Sequence, residues 1–483
     1  MAGFDLSLKT LPGSRVSAGS CDHQCKRTTV KSFAFDGIDT PPVWTHKSCV
    51  CNELIALKAR HQFDDGLRYS GPCIRNMLRE YCGQHLIRRC NPVTEETVIA
   101  HAVPSKRKLL EVAQSSLEKE PLCTRDGRVK MFLKDDKYHV AEVKAPRCIQ
   151  YRNKRYCLRL ARWMIPIERQ VYLWTDASGS PVFAKGRNMR QRGRDIQCKF
   201  QWFDDPVVIS MDHSKFDSHV NTTLLDLEHW FYNQCARDPE LKFLLALQRK
   251  NIGRTKNGTK YETLGTRMSG DQNTGLGNCI INFAMTRYVL NGIKHCLYID
   301  GDDFLVFVEH CDVQRVNPNT YKLFGMSTTV DGTVDVLEHI EFCQTRPVAD
   351  GVGGYTMVRN PRRLLARLPW VVGPRETDTI DDIIYSTGLC EIALGVGLPV
   401  AQYLGRALAE RGGKYRRTEL HHRAMLEKVK PQKAQVVEPS AETRMSYETA
   451  WGLSIAEQLQ LENIKLVDVE AEQSDEFPFR RFH

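Results

Sequence analysis

Short apolar runs that end in acidic residues are the most distinctive hydrophobic and polar pattern of this sequence. Residues 295–310 read HCLYIDGDDFLVFVEH, in which two β-branched, aromatic and aliphatic runs flank Asp300, Gly301, Asp302 and Asp303. An Asp-Gly pair between two such runs is typical of a β-hairpin, so the acidic residues are predicted to lie in its tight turn. Taken alone, the stretch is better explained as an ordinary acidic turn.

A second apolar run also leads into an acidic residue. Residues 207–209, Val-Val-Ile, form a buried-strand pattern that runs into Asp212, and Asp217 follows shortly afterwards. If this strand and the hairpin are neighbours, the carboxylates of Asp212 and Asp302 lie close together and repel each other unless a cation lies between them. Mg²⁺ prefers oxygen ligands, and two such ions about 4 Å apart serve nucleotidyl transfer. The paired strand ends therefore indicate a metal site.

The segment between the two acidic strand ends is predicted to be a loop followed by a long helix. Residues 253–270 are rich in glycine, lysine and other polar residues and indicate a loop, whereas the helix is expected over residues 272–290. Thr274 and Asn278 are four residues apart and share a face of this helix. Their polar groups could bind a ribose, although routine caps and solvated polar groups are the simpler explanation of this face alone.

Residues 143–163 form a basic segment in which tyrosines alternate with cations. The cations include Lys144, Arg147 and Arg155, whose groups are suited to triphosphate and to an RNA backbone. Pro146 and the alternation that follows it favour an extended strand that points its cations in a common direction. A solvated charged face is the alternative interpretation.

Composition is compatible with a large enzyme that binds a polyanion. The chain has 483 residues, and its 68 Lys and Arg exceed its 58 Asp and Glu, which gives a net charge of +10 and favours polyanionic partners. The 17 cysteines are scattered and no secretory signal opens the sequence, so free thiols in a reduced compartment are expected. No apolar run approaches the roughly 18 residues that span a bilayer, so any membrane association is expected to be peripheral or through a partner.

The first hundred residues are turn-rich and lack sustained periodicity, which indicates an extension or a partly independent module. They contain six residues that could ligate zinc, namely Cys21, His23, Cys25, His46, Cys49 and Cys51. These residues lack the paired Cys-x-x-Cys spacing of common structural sites, so buried or free thiols are favoured and no stoichiometric zinc is predicted.

Taken in chain order, these segments resemble the RNA-directed RNA polymerases of positive-strand RNA viruses, most closely the tombusvirus and umbravirus group. The matching stretches are KAPRCIQYRNKRY (motif F), DHSKFD (motif A), SGDQNTGLGN (motif B), GDD (motif C) and VLEHIEFCQTRPV (motif D into motif E). The resemblance covers residues from about 120 to 465. It is specific, because five motifs occur in one order.

The resemblance implies an α+β right-hand fold with fingers, an antiparallel palm sheet and a mainly helical thumb. The expected divisions are 1–100 for an N-terminal extension with part of the fingers, 101–206 for fingers with the basic segment, 207–350 for the palm with a finger insertion at 235–265, 351–465 for the thumb, and 466–483 for a mobile tail.

The resemblance also implies roles for individual residues. The expected ligands of two Mg²⁺ ions, for which Mn²⁺ is an accepted substitute, are Asp212, Asp302 and Asp303. The positions that match ribose or nucleotide contacts are Asp217, Ser269, Thr274, Asn278, Lys144, Arg147 and Arg155. The positions that match the primer-supporting hairpin are Phe342, Cys343 and Gln344.

Two positions depart from the family pattern. Asp300 stands where related sequences usually have Asn, so extra negative charge is expected near the metals. The lysine expected as general acid has no secure match, and Lys322 is the best candidate.

The function implied is template-directed RNA synthesis from ribonucleoside triphosphates with release of pyrophosphate. Its expected partners are template and product RNA, nucleoside triphosphates and a membrane-anchored viral or host replication protein, at membrane-associated complexes in the host cytoplasm. Two alternatives stay open, a reverse transcriptase and an accessory protein that binds RNA without catalysis. Gly301 before the paired aspartates disfavours the first, and the three aspartates together disfavour the second.

Overall fold

The computed structural model of the chain describes residues 7–9, 25–28, 30–61, 65–79, 90–139, 142, 144–371 and 379–468. The mobile tail predicted from residue 466 lies outside the described residues from position 469 onward, as do Cys21 and His23.

Strands occur along most of the described chain. In chain order they are β1 (Ser7–Lys9), β2 (Lys26–Thr28), β3 (Val30–Lys31), β4 (Ala34–Phe35), β5 (Val43–His46), β6 (Val129–Leu133), β7 (Tyr138–His139), β8 (Cys148–Arg152), β9 (Pro206–Ser214), β10 (Lys250–Thr255), β11 (Lys260–Leu264), β12 (His295–Asp300), β13 (Asp303–Glu309), β14 (Ser327–Val334), β15 (Thr345–Ala349), β16 (Tyr355–Arg359), β17 (Trp370–Val371) and β18 (Leu466–Val467).

Helices alternate with these strands and dominate the C-terminal third. They are α1 (Val50–His61), α2 (Glu95–His101), α3 (Pro104–Lys119), α4 (Lys154–Val171), α5 (Met189–Phe200), α6 (Phe216–His219), α7 (Thr222–Cys235), α8 (Pro239–Ala246), α9 (Thr274–Val289), α10 (Pro361–Arg367), α11 (Ile380–Leu394), α12 (Ala401–Ala409), α13 (Glu419–Leu426), α14 (Ala441–Trp451) and α15 (Ile455–Glu462). Short 3-10 turns lie at Thr124–Gly127, His310–Arg315, Pro318–Leu323, Leu337–His339 and Pro431–Lys433.

An antiparallel sheet with the strand order β12-β13-β9-β14 occupies the centre of the molecule. Side chains alternate between its two faces, as the pleat of a strand requires. Ile299 and Phe304 belong to the core that also contains side chains of α4, α7 and α9. Tyr298 and Leu305 belong to a second core that includes side chains of α5 and β16. Because both faces of β9, β12 and β13 are buried, these three strands read as nearly continuous apolar runs, whereas β14 is polar and partly exposed. The predicted hairpin and the predicted strand before Asp212 are confirmed.

A second sheet, β1-β11-β10-β6-β8, contains the segment that the sequence indicated to be a loop. Instead of a loop, residues 253–270 contain most of the β10–β11 hairpin, and its turn contains Gly258 at φ +100°. The apolar alternation is missing from the sequence because several buried positions of these strands are polar, for example Asn251, Thr255 and Thr263. Their side chains are satisfied by hydrogen bonds, such as those from Asn251 Nδ2 to the carbonyls of Gln248 and Gly265.

The described residues of the N-terminal hundred pair with later parts of the chain, which favours the extension over the partly independent module. Strand β1 pairs with β11, β3 with β17, and β4 with β18. Helix α1 packs against the second sheet, where Ala56 and Leu57 join Val129 and Met131 in one apolar cluster. The local pattern of this region is weak because each of these short strands finds its partner far away in the sequence.

The helices after residue 379 pack on one another around a third core that includes Ile384, Leu404 and Tyr447. Helices α11 and α12 approach so closely that a Cβ built on Gly388 would lie 2.5 Å from the carbonyl oxygen of Gly405. Among the described residues, none of the helices combines the length and apolar character needed to cross a bilayer.

Arg152 joins the second sheet to the segment that leads into α9. Its side chain is 1% exposed and pairs with Asp271, itself 2% exposed, at 2.9 Å. The same guanidinium donates to Asn251 Oδ1 at 2.5 Å and to the carbonyl of Gly127. This buried pair fixes β8 and β10 against the start of α9.

Arg152→Met is expected to destabilise the protein by about 3 to 5 kcal/mol, because it leaves the buried Asp271 carboxylate without its partner. The same replacement at Arg147, whose side chain is 69% exposed, is the matched control and should change stability by no more than about 0.5 kcal/mol. Thermal and urea unfolding of both variants measure the difference. Equal stability of the two variants would contradict the structural role of Arg152.

Candidate active site

The paired strands bring three carboxylates to one end of the central sheet. Phe304 of β13 pairs with Met211 of β9, so Asp303 and Asp212 occupy the next position along their two strands. Asp302 lies in the turn between β12 and β13, beside Gly301 at φ +81°. The sequence prediction that these acidic residues meet at neighbouring strand ends is therefore consistent with the observed register.

Two side chains of helix α9 bond to the backbone of this turn. The buried Asn282 Nδ2 donates to the carbonyl of Gly301 at 2.9 Å, and the N–H of Gly301 donates to Cys279 Sγ at 3.3 Å. A positive φ favours glycine. The backbone of the turn is thus fixed by two contacts to a single helix, independently of any charge on its aspartates.

The three carboxylates share one region of negative potential. Burial, followed by Asp302 and Asp331, raises the pKa of Asp212 to about 6. Burial, followed by Asp302 and Asp212, raises the pKa of Asp303 to about 7. The pKa of Asp302 is also raised, first by burial and then by Asp217. Each ionised carboxylate is therefore disfavoured by desolvation and by its acidic neighbours.

The donor set fits hard divalent cations. Among the described residues, no Lys or Arg forms an ion pair with Asp212, Asp302 or Asp303. In the described part of the chain, no group of three acidic side chains has one oxygen from each within 4.8 Å of the other two. A cation of the Mg²⁺ class takes such oxygens as ligands, and binding would draw the carboxylates together.

Asp300 is held differently from the other three aspartates, because two cations pair with it, although its charge still helps to raise the pKa of Asp302 and Asp303. Its carboxylate pairs with Lys185 and, at 2.7 Å, with Arg192. Burial alone would raise its pKa, but the two cations outweigh burial and hold the pKa below its ordinary value. Cys343 Sγ lies 3.7 Å from the same carboxylate. The Asp300 charge is therefore neutralised within the protein.

Two of the predicted ribose-contacting residues lie in direct contact. Asn278 Nδ2 donates to Asp217 Oδ1 at 2.8 Å. Arg60 of α1 donates to the other oxygen of Asp217, also at 2.8 Å. Arg267 Nε donates to Asn278 Oδ1 at 3.0 Å, and Arg267 itself pairs with the buried Glu228. The Asp217–Asn278 pair is thus fixed by one arginine on each side.

Ser269 and Thr274 have their hydroxyls engaged by the backbone. Thr274 Oγ1 donates to the carbonyl of Met268 at 2.8 Å. Ser269 Oγ donates to the carbonyl of Cys148 at 3.3 Å and accepts from the N–H of Gln150 at 3.2 Å. The Ser269 bonds tie the loop before α9 to β8, whereas Thr274 bonds within that loop, so Thr274 and Asn278 have separate partners.

The basic segment does not point its cations in one direction, which corrects that expectation. Asn153 ends the strand by capping α4, where its Oδ1 accepts the N–H of Tyr156. Arg155 therefore lies on the helix and turns inward, with its Nε 3.0 Å from Asp126 and a further bond to Ser116. Arg155 is thus bonded within the protein, and its expected contact with a nucleotide stays a prediction.

Lys144 and Arg147 remain on the surface of the protein. Their side chains are 66% and 69% exposed, and their nearest ion-pair distances are 3.7 Å to Glu142 and 3.5 Å to Asp136. Such exposed pairs contribute little to stability. Both cations are accordingly accessible to an anionic ligand.

The predicted primer-supporting residues form a tight turn before β15. Cys343 and Gln344 both have positive φ, +50° and +62°. Phe342 is 2% exposed and packs its ring 5.2 Å from that of Tyr298. Gln344 is the exposed member of the three. The turn is thus anchored by Phe342 and Cys343 and presents Gln344 to solvent.

Sequence reasoning missed the cations that organise the site, namely Arg60, Lys185, Arg192 and Arg267. Arg60 lies 157 positions from Asp217, and neither residue type nor spacing connects the two. Asn282 could have been found from the sequence, because it lies four residues after Asn278 and so shares the polar face of the predicted helix.

Comparison with known proteins identifies the family. A family model described as "Viral RNA dependent RNA polymerase" matches residues 73–471. The chain belongs to the viral RNA-dependent RNA polymerase family. The resemblance to polymerases of the tombusvirus-like group is confirmed.

Curated relatives of this polymerase family have similar sequences over most of the chain. The RNA-directed RNA polymerase of Maize chlorotic mottle virus (isolate United States/Kansas/1987) is 35% identical over 399 residues, which is 78% of this chain and 41% of the relative. That of Tobacco necrosis virus (strain A) is 32% identical over 76% of this chain and 53% of the relative. That of Turnip crinkle virus is 34% identical over 68% and 43%. The chain spans about half the length of these relatives.

Asp303→Asn is expected to raise the thermal stability of the chelator-treated protein at neutral pH. The folded-state pKa of Asp303 is raised to about 7, so the unfolded chain ionises first and the folded protein loses stability as pH rises from about 4 to about 7. Asparagine does not titrate and removes this loss.

Melting temperatures of wild type and Asp303→Asn should therefore differ near pH 7.5 and converge near pH 4, both values being approximate. Asp135→Asn, at an exposed carboxylate, is the matched control. A lower melting temperature for Asp303→Asn at neutral pH would contradict the mutual repulsion inferred for the site.

Proposed function

We propose that the chain catalyses template-directed RNA synthesis, in which a 3′ hydroxyl attacks the α-phosphorus of a ribonucleoside triphosphate and pyrophosphate leaves. The observation that carries the proposal is the position of Asp212, Asp302 and Asp303 at one end of the central sheet, where none of them forms an ion pair with a described Lys or Arg. Family membership supports the reaction class.

The three aspartates would hold two Mg²⁺ ions, and Mn²⁺ could take the place of Mg²⁺. Bound ions of this kind neutralise the transferring phosphate and favour deprotonation of the attacking hydroxyl. The role of the protein is to fix the carboxylates: β9 and β13 set the positions of Asp212 and Asp303, and Asn282 fixes the turn that carries Asp302.

Asp217 and Asn278 would contact the ribose of the incoming nucleotide. They are already paired at 2.8 Å, and Arg60 and Arg267 fix them from either side. A hydroxyl that donates to Asp217 or accepts from Asn278 would replace part of this internal bonding. A 2′-deoxynucleotide lacks the 2′ hydroxyl, so a contact to that hydroxyl would give a physical basis for selecting ribonucleotides.

The architecture supports a right-hand arrangement. The sheet β12-β13-β9-β14 would be the palm, the sheet β1-β11-β10-β6-β8 would belong to the fingers, and the helices after residue 379 would form the thumb. The N-terminal strands would connect these parts, because they pair with strands of both the fingers and the C-terminal region.

A basic cleft beside the Cys343–Gln344 turn would receive RNA. Basic residues outnumber acidic ones along its lining, and they include Arg363, Arg367 and Arg417. Burial and the neighbouring Arg367 lower the pKa of Arg363, which shows that cations crowd together in this cleft. Template and product RNA are the proposed occupants, and Lys144 and Arg147 are proposed to meet triphosphate or RNA at the surface.

In the cell, we place this activity at membrane-associated replication complexes in the host cytoplasm. Recruitment would depend on a membrane-anchored viral or host replication protein.

Asp302→Asn is expected to reduce nucleotide incorporation at least about a hundredfold while leaving the fold intact. The replacement removes ligand charge at the point where phosphate must be neutralised, a loss of about 3 kcal/mol or more in transition-state stabilisation. Primer extension on an RNA template, with and without Mg²⁺, measures the effect.

Asp204→Asn, at an exposed carboxylate on the loop before β9, is the control and should keep wild-type activity. Folding is checked by circular dichroism and melting temperature. If the folded Asp302→Asn protein keeps more than about a tenth of the wild-type rate, the assignment fails. A wild-type chain that binds RNA and incorporates nothing would instead be an accessory protein.

Asn278→Ala is expected to lower the ratio of ribonucleotide to 2′-deoxynucleotide incorporation by roughly tenfold or more, mainly by slowing the ribonucleotide reaction. The loss of a hydrogen-bonding group toward the ribose costs about 1 to 3 kcal/mol. Competing single-nucleotide extension reactions measure the ratio directly.

Asn291→Ala, at an exposed position just after α9, is the matched control. An unchanged ratio in an active Asn278→Ala protein would mean that Asn278 only positions Asp217 and that the ribose is selected elsewhere. Wild-type preference for deoxynucleotides would instead identify a reverse transcriptase.

A further inference from the structure

Three cysteines of the N-terminal region converge at one point. Cys25 precedes β2, and Cys49 and Cys51 flank the start of α1. Their sulfur atoms all lie within 4.8 Å of one another. The Sγ atoms of Cys25 and Cys49 are 3.9 Å apart. These two residues are 24 positions apart in the sequence, and the pairing of β2 with β5 brings them together.

The surrounding backbone holds the three residues in place. The buried Asn52 donates from Nδ2 to the carbonyls of Cys25, at 2.7 Å, and Lys47, at 2.9 Å. The N–H of Lys47 donates to the carbonyl of Cys25 at 2.8 Å. The strand end that carries Cys25 is therefore tied to the turn that leads into Cys49.

This geometry matches a thiolate site for zinc. Zn²⁺ binds cysteine sulfur at about 2.3 Å in tetrahedral geometry, which places neighbouring sulfurs about 3.8 Å apart. The distance between Cys25 and Cys49 is close to this value. Three protein ligands are the number found in open zinc sites, in which water takes the fourth position. The irregular spacing that argued against zinc in the sequence is thus overcome by the fold.

We propose that the reduced chain binds one Zn²⁺ ion through Cys25, Cys49 and Cys51. Cys51 is disulfide-bonded in this structure, so binding requires prior reduction. A thiol reductant supplies two electrons and two protons, the disulfide becomes two thiols, and the reductant becomes a disulfide. The three thiols then release three protons to solvent as they bind the ion.

The ion would fix the first turn of a helix whose far end reaches the candidate active site. Helix α1 has 12 residues and therefore spans about 18 Å. At its C-terminal end, Arg60 donates to Asp217 and to the carbonyl of Arg267. The neighbouring His61 contacts Gln150 of β8. Through Cys49 and Cys51 the ion would therefore restrain the first turn of the helix that supplies Arg60.

Metal content tests the proposal directly. The full chain, purified in a thiol reductant without chelator, is expected to hold about one zinc per molecule by elemental analysis. Cys49→Ser and Cys25→Ser should each lose most of this metal. Cys198→Ser, at an exposed free cysteine, is the matched control and should retain it. Retention of one zinc by the Cys49→Ser protein would overturn the assignment.

Cobalt binding to the wild-type chain gives a second test that does not depend on the folding of the cysteine variants. The zinc-free, reduced wild-type chain, titrated with Co²⁺, should develop sulfur-to-metal charge-transfer absorption and the strong visible bands of tetrahedral cobalt, and Zn²⁺ should abolish both. The absence of these bands in a folded chain would overturn the proposal. Neither measurement involves RNA or nucleotides, so its failure is distinct from failure of the proposed polymerase function.

Hydrogen exchange tests the link to α1. Removal of zinc should speed amide exchange in the first turn of α1, where the N–H of Glu53 bonds to the carbonyl of Cys49. Exchange in α4 should stay unchanged and serves as the internal control. Equal exchange of α1 with and without zinc would overturn the anchoring role.

Discussion

The mutual repulsion of Asp212, Asp302 and Asp303 is the constraint on which the rest of the structure depends. Antiparallel pairing of β9, β12 and β13 forces these carboxylates to one end of the sheet. The side chains on both faces of β9, β12 and β13 are packed in apolar cores, so separating these strands would expose apolar surface. The apolar core thus supplies the energy that holds like charges together, and a divalent cation would relieve their repulsion.

Pairing with internal cations separates structural aspartates from the proposed metal ligands. Asp300 is neutralised by Lys185 and Arg192, and Asp271 by Arg152. The three carboxylates at the sheet end have no such partner among the described residues. An arginine or lysine paired with these carboxylates would compete with the proposed metal ions for the same oxygens. Residue type alone does not reveal this difference, since all of these residues are aspartates.

The sequence predicted those parts of the fold that depend on local pattern. The β12–β13 hairpin, β9 and α9 were predicted because each carries its own apolar run and its own turn residues. The β10–β11 hairpin was missed because its buried positions are polar and are satisfied only within the assembled sheet. The contacts of Arg60 with Asp217 and of Lys185 with Asp300 were missed for a related reason. They join residues more than a hundred positions apart, and nothing in the local sequence encodes such a pairing.

Helix α9 carries three buried polar residues on one of its faces. Asn278, Asn282 and Thr286 follow one another at a spacing of four and are all buried, so they form a polar stripe along an otherwise apolar helix. Asn278 contacts Asp217, whereas Asn282 contacts the turn at Gly301 and also lies 3.2 Å from His213 of β9. Thr286 donates to Asn282 at 3.0 Å and fixes its orientation.

The stripe therefore connects the proposed ribose pocket, the acidic turn and the neighbouring strand through a single rigid element. A shift of this helix would displace Asp217 and the Gly301 turn beside Asp302 together, because they are bonded to side chains one helical turn apart. Buried polar groups are costly unless each is satisfied. The fully bonded stripe thus favours one position of the helix, and this position sets the proposed ribose contact relative to the proposed metal ligands.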